Sequence, residues 1–200
     1  MEEVNESILE YAQLDLDGTY TYTDYLRWQF KERVELIKGK IRKMSPTPSI
    51  LHQKISYNIT GILYNIFKNQ PCQCFAAPFD VRLPIPSAQK DTTVVQPDLC
   101  IICDLSKLND LRGCNGAPDL IIEILSPGNT KHEINTKFSL YEESGVKEYW
   151  LVEHNDKAIF IYTLINEKYI GLQPLTEGQI ITSPLFPEMK IAVDDVFEGV

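Results

Sequence analysis

Apolar residues in this chain switch between two spacings, and the switches mark its elements. Helical spacing predicts helices over about 3–13, 22–31, 50–68 and 131–143. In the third, Leu51, Ile55, Ile59, Ile62, Leu63 and Ile66 recur so that one face can pack on a sheet. Thr21 or Thr23 suits the N-cap of the second, and Thr130-x-x-Glu133 is a capping box for the fourth, which Gly145 ends. Strands are predicted at about 34–37 and 40–44, joined as a hairpin through Lys38-Gly39, where glycine supplies a positive φ. Further strands follow at about 74–76, 79–83, 97–103, 119–125, 147–153, 157–164 and 168–172. Ser45-Pro46-Thr47-Pro48 breaks the chain, 84–91 reads as a loop, and Ser126-Pro127-Gly128-Asn129 ends a strand. The order predicts a mixed α/β (α+β) fold around one central sheet, in a single domain spanning 1–200.

Two of these strands carry a carboxylate where an apolar residue is expected. Asp98 opens the run Leu99-Cys100-Ile101-Ile102-Cys103, and Glu123 sits inside Leu120-Ile121-Ile122-Glu123-Ile124-Leu125. An ionised carboxylate in a core is costly unless it is paired or binds a cation. Two on neighbouring strands point to a divalent metal held by hard oxygen ligands, the setting of phosphoryl chemistry. A core salt bridge is the competing explanation for Glu123. Asp119 shares its face but lies about 13 Å along the strand, too far to share an ion, so it reads as structural.

In the helix over 131–143, Ile134, Phe138 and Tyr141 form an inward stripe, and Lys137 stands on or beside it. Its ammonium can reach the sheet carboxylates and stabilise negative charge there. It can instead snorkel outward, or pair with Glu133 one turn back.

Charge and cysteines narrow the picture only slightly. The 200 residues carry a net charge of −9, which argues mildly against binding nucleic acid by bulk electrostatics. Local basic patches remain: Lys38, Lys40, Arg42 and Lys43 in the hairpin, and Lys131 with Lys137. No run approaches a membrane span, and the acidic start lacks a signal-peptide pattern, so a cytoplasmic chain is expected. Five cysteines there would be free thiols. Cys72-x-Cys74 and Cys100-x-x-Cys103 invite a zinc reading, but residues three apart on a strand face opposite ways.

The Pro97-Asp98 and Glu123-Ile124-Leu125 elements resemble the PD-(D/E)xK nuclease superfamily, with Leu125 standing where that pattern has its lysine. More closely, the chain resembles the Uma family of "putative restriction endonucleases". The residues that carry this are Val34 to Ile41, Met44-Ser45-Pro46, His52, Gln96 to Leu99, Glu123 to Pro127, Lys137, Tyr141 and Gly145 to Val152. They span about 20–155. The resemblance implies a restriction-endonuclease-like mixed sheet flanked by helices, a magnesium (or manganese) cofactor, DNA as partner and a homodimer. It implies Asp98, Glu123 and the Ile124 carbonyl as metal ligands, Lys137 as a lysine migrated to the next helix, and Glu35 as an additional acid. His52, Lys40 and Lys131 are the candidate substrate contacts, and Asp80 a further acidic neighbour.

The function expected is metal-dependent hydrolysis of DNA phosphodiester bonds. Rivals are a catalytically degenerate nuclease-fold module that binds DNA or assembles, favoured by Leu125 and the acidic charge, a zinc-binding regulator, and a hydrolase of small phosphorylated substrates. Tyr149-Trp150 reads as core, with a base-stacking platform as its rival.

Overall fold

The computed structural model describes residues 11, 14–44, 48–126 and 129–200. The helix expected over 3–13 lies, apart from Tyr11, outside these residues, as do Ser45-Pro46-Thr47 and Pro127-Gly128.

Two sheets carry the architecture, not the one expected. The larger is six-stranded, in the order β11-β10-β9-β8-β6-β3, from Gln73–Ala76 (β3), Leu99–Ile102 (β6), Leu120–Ile124 (β8), Glu148–Glu153 (β9), Ala158–Ile165 (β10) and Lys168–Gly171 (β11). Only its β8–β9 pair is parallel. The second sheet runs β2-β1-β5-β4-β7, from Val34–Ile37 (β1), Lys40–Lys43 (β2), Val81–Arg82 (β4), Val94–Val95 (β5) and Cys114–Asn115 (β7). Gln96-Pro97 explains the split. Proline has no N–H for a ladder, so the chain leaves β5 there and re-enters the other sheet as β6. A short ribbon of Ile180–Thr182 (β12) and Lys190–Ala192 (β13) follows, then the turn Val193–Val196 (α4).

Thr21 caps Tyr22–Tyr25 (α1) with a capping box to Asp24. This helix stops after one turn, where 22–31 was expected, because Trp28 and Phe30 stack together and pack with Tyr11, Tyr20 and Tyr25 over the hairpin core. Ile50–Phe67 (α2) is capped by Ser49. It buries Ile55, Ile59, Leu63 and Phe67, while Leu51 points outward and His52 takes the inward place. Lys131–Ser144 (α3) starts at the Thr130–Glu133 box and ends at Gly145 with φ 83°.

Strand alternation sorts the six-stranded sheet into two faces. Leu99, Ile101, Leu120, Ile122, Ile124, Trp150 and Val152 pack with α2 and the C-terminal ribbon. Cys100, Ile102, Ile121, Tyr149 and Leu151 pack with Leu140 and Tyr141 of α3 and with the second sheet. Each such aliphatic side chain, fully buried, contributes about 1.5–3 kcal/mol. Tyr149 and Trp150 are core, with no face left for stacking a base.

The five free thiols are corrected. Cys72 and Cys103 form a disulfide, and Cys74, Cys100 and Cys114 are free. Gln73 pairs with Ile102 across β3 and β6, so the next residues outward, Cys72 and Cys103, face each other. That also removes Cys103 as a zinc ligand, and Cys100 packs on the α3 side.

Candidate active site

Register places the two sheet carboxylates side by side. β6 and β8 are antiparallel with Leu99 opposite Ile122, so the next step sets Asp98 opposite Glu123. Both fall on the face toward α3. Glu123 is 9% exposed, and its Oε1 accepts from Lys137 Nζ at 2.8 Å and Tyr141 OH at 2.5 Å. Lys137 therefore turns inward. Glu133 is not its partner, because that carboxylate accepts from the Thr130 N–H at 2.7 Å and closes the cap.

Lys137 Nζ also lies 3.2 Å from Glu35 Oε1. Glu35 is buried on β1, and the same Oε1 accepts from the Gln96 N–H at 3.0 Å. The Gln96 side chain donates to Asp80 Oδ1 at 2.8 Å, and Tyr25 OH reaches that oxygen at 3.1 Å. Asp80 thus stands one layer behind the site. Asp98 Oδ2 accepts from the Ile124 N–H at 2.8 Å and faces His52 Nε2 at 3.1 Å. His52 is 6% exposed, and its Nδ1 is buried without a hydrogen-bond partner among the described residues.

Two carboxylates thus share one ammonium, and Asp98 faces one of them across the sheet. Burial, partly offset by Lys137 and reinforced by the charges of Asp98 and Glu35, pushes Glu123 up to about 7. Burial opposes the charged form of Lys137, but Glu123 and Glu35 outweigh it and hold the lysine above its ordinary value, as ammonium. Burial likewise works against imidazolium at His52, yet the hydrogen bond and charge of Asp98, with Glu123 beyond, raise its pKa.

The donor set suits a hard divalent cation. Among the described residues, no hydrogen bond reaches Asp98 Oδ1 or Glu123 Oε2, and the negative charge exceeds the positive. No group of three or more His, Cys, Asp or Glu able to hold a metal occurs among the described residues. Asp98 and Glu123 are the two carboxylates that could enter the shell of such an ion, with water and substrate completing it.

A cleft of about 540 Å³ opens over these groups, lined by Glu35, His52, Asp98, Glu123, Ile124 and Lys137. Arg33, Arg42 and Lys43 line it too. The two lysines expected at substrate are elsewhere. Lys40 Nζ is held by the carbonyls of Asp17 and Gly18, and Lys131, exposed in the first turn of α3, is not part of the lining. Tyr141, expected only as core, is the donor that sequence reasoning missed. Its place four residues after Lys137, on the stripe facing Glu123, was the available signal.

Residues 22–194 match the family model Uma2, described as "Putative restriction endonuclease". The chain belongs to the Uma2 family. A relative, "Uncharacterized protein slr1290" of Synechocystis sp. (strain ATCC 27184 / PCC 6803 / Kazusa), is 26% identical over 142 residues, 70% of this chain and 71% of that protein. A crystal structure of "a putative nuclease belonging to DUF820" from Anabaena variabilis ATCC 29413 superposes with a TM-score of 0.70 at 19% identity. The match covers 89% of this chain and 97% of that one, and it establishes a shared fold. The Uma2 membership supports a nuclease. No described helix is long and apolar enough to cross a membrane.

Proposed function

We propose that this Uma2 protein is a magnesium- or manganese-dependent endonuclease that hydrolyses DNA phosphodiester bonds, acting as a cytoplasmic homodimer. The observation that carries the reading is Lys137. Reaching back from α3, it sets its ammonium 2.8 Å from Glu123 and 3.2 Å from Glu35, beside Asp98. The lysine missing from position 125 is thereby supplied from the next helix.

Asp98, Glu123 and the Ile124 carbonyl would hold the ion, which supplies Lewis acidity toward a phosphate and a lowered pKa for water. Lys137, kept protonated, serves as a fixed positive charge for the anionic transition state and not as a base. Glu35 and Tyr141 fix the positions of Lys137 and Glu123. His52 and the Ile124 N–H fix one oxygen of Asp98 and leave the other for the ion. Arg33, Arg42 and Lys43 give the cleft a positive wall suited to a phosphate backbone.

The test is metal-dependent cleavage of plasmid and single-stranded DNA by wild type, Glu123→Ala and Lys137→Ala. Loss in both variants supports the assignment. Cleavage that survives Glu123→Ala refutes this site. A wild type inert with every divalent metal leaves the degenerate DNA-binding or assembly module as the better reading.

A further inference from the structure

Helix α2 has a second face that the fold of one chain does not use. Opposite its buried stripe stand Ile50, Tyr57 and Tyr64, seven residues apart and 76%, 81% and 64% exposed. Gly61 lies between the tyrosines on the same outward line, four after Tyr57 and three before Tyr64.

Two properties of this face go unexplained in a monomer. A Cβ placed on Gly61 meets nothing within 4 Å, so the fold would accept alanine, which helix interiors favour over glycine. The 18 residues of α2 also contain no Asp or Glu, in a chain of net charge −9. Two copies of an acidic protein repel unless they meet where carboxylates are missing.

We propose that this face is a two-fold interface at which α2 crosses α2 of a second copy, with Gly61 on the axis. A two-fold axis brings a residue against itself, so the crossing point needs a small side chain and bulk on both sides. Gly61 supplies the first and lets the helix axes approach closely. Tyr57 and Tyr64 supply the second, each packing beside its counterpart across the axis. A different partner would need its own matching groove, whereas a second copy brings the same glycine flanked by the same tyrosines. The inference rests on the homodimer of the proposed endonuclease and gives it a surface. His52 belongs to the same helix, so pairing through α2 would hold two clefts in a fixed relation.

The test is sedimentation equilibrium of the full chain, with Tyr57→Glu and Gly61→Arg alongside, and oxidative cross-linking of Gly61→Cys. Wild type should be a dimer, and each substitution should weaken it about 100-fold with circular dichroism and Tm unchanged. Gly61→Cys should yield a covalent dimer that wild type does not form under the same oxidant. Should Gly61→Arg unfold, Tyr57→Glu decides, since its side chain stands clear of the core. A wild-type monomer at its highest soluble concentration, or a dimer untouched by folded variants, overturns the proposal. Magnesium titration separates this from the nuclease reading. The α2 variants should still bind the ion, whereas a wild-type dimer that binds none would sink the nuclease reading alone.

Discussion

Strand β8 and the residue before it offer two buried carboxylates on one face, and the protein treats them oppositely. Asp119 is answered completely: Lys147 Nζ lies 2.6 Å from Oδ1, and the Cys103 N–H donates to Oδ2 at 2.8 Å. Glu123 shares its lysine with Glu35 and faces Asp98 across the sheet. The first end is a closed account of donors and acceptors; the second carries surplus negative charge and open carboxylate oxygens. A buried acid is structural where the protein matches its charge, and a candidate for chemistry where it does not.

The largest expected effect separates the two ends by activity. Glu123→Ala should lower metal-dependent DNA cleavage by about 10²–10³-fold or more, while Asp119→Ala should leave the folded protein within about tenfold of wild type. Plasmid nicking at matched folded fraction is the measurement. Equal losses would erase the distinction.

Next come the two lysines, compared by urea melts without metal. Lys137→Met strands buried carboxylates and should cost about 3–5 kcal/mol, part of it regained with magnesium. Lys147 has a side chain 61% exposed and Asp119 keeps the Cys103 N–H, so Lys147→Met should cost less, about 1–2 kcal/mol. Similar costs would mean that burial does not set the difference.

The third contrast is in pH. Glu123 in the folded state stands at about 7, above the free value of 4.5. Between those values the folded protein keeps a proton that the unfolded chain has released, so stability falls as pH rises through this window. Glu123→Gln lacks that titration. Without metal, its stability relative to wild type should therefore grow from pH 4.5 to 7, by roughly 1–3 kcal/mol. A difference that stays flat with pH would show Lys137 neutralising Glu123 unaided.

The smallest effect belongs to Tyr141→Phe. Losing one hydrogen bond to Glu123 should lower stability by about 1 kcal/mol and cleavage only several-fold, read from Tm and single-turnover rates. A loss as large as that of Glu123→Ala would make Tyr141 a participant and not a support.

Most of the site could be read in the sequence because strand alternation and helix spacing place side chains without knowledge of tertiary contacts. Asp98 and Glu123 declared themselves as charges in apolar runs, and Lys137 as a lysine on an inward stripe. Long basic side chains were a different matter. The hairpin's charge pattern puts Lys40 at the cleft, but its ammonium is satisfied by two loop carbonyls, a contact that no periodicity encodes, whereas Arg33, Arg42 and Lys43 line the cleft. The Cys72–Cys103 bond needed the β3–β6 register, which pattern alone does not set. The second sheet turned on Gln96-Pro97, a break hidden inside what reads as one extended segment.

Lys137 follows β8 in the chain and does not lie on it. During synthesis Glu35, Asp98 and Glu123 leave the ribosome before α3 does, and they meet their ammonium only when Phe138, Leu140 and Tyr141 dock on the sheet. A nascent or half-folded chain therefore holds these acids without their cation. For the proposed endonuclease, the crossover from β8 to β9 ties completion of the site to the docking of α3.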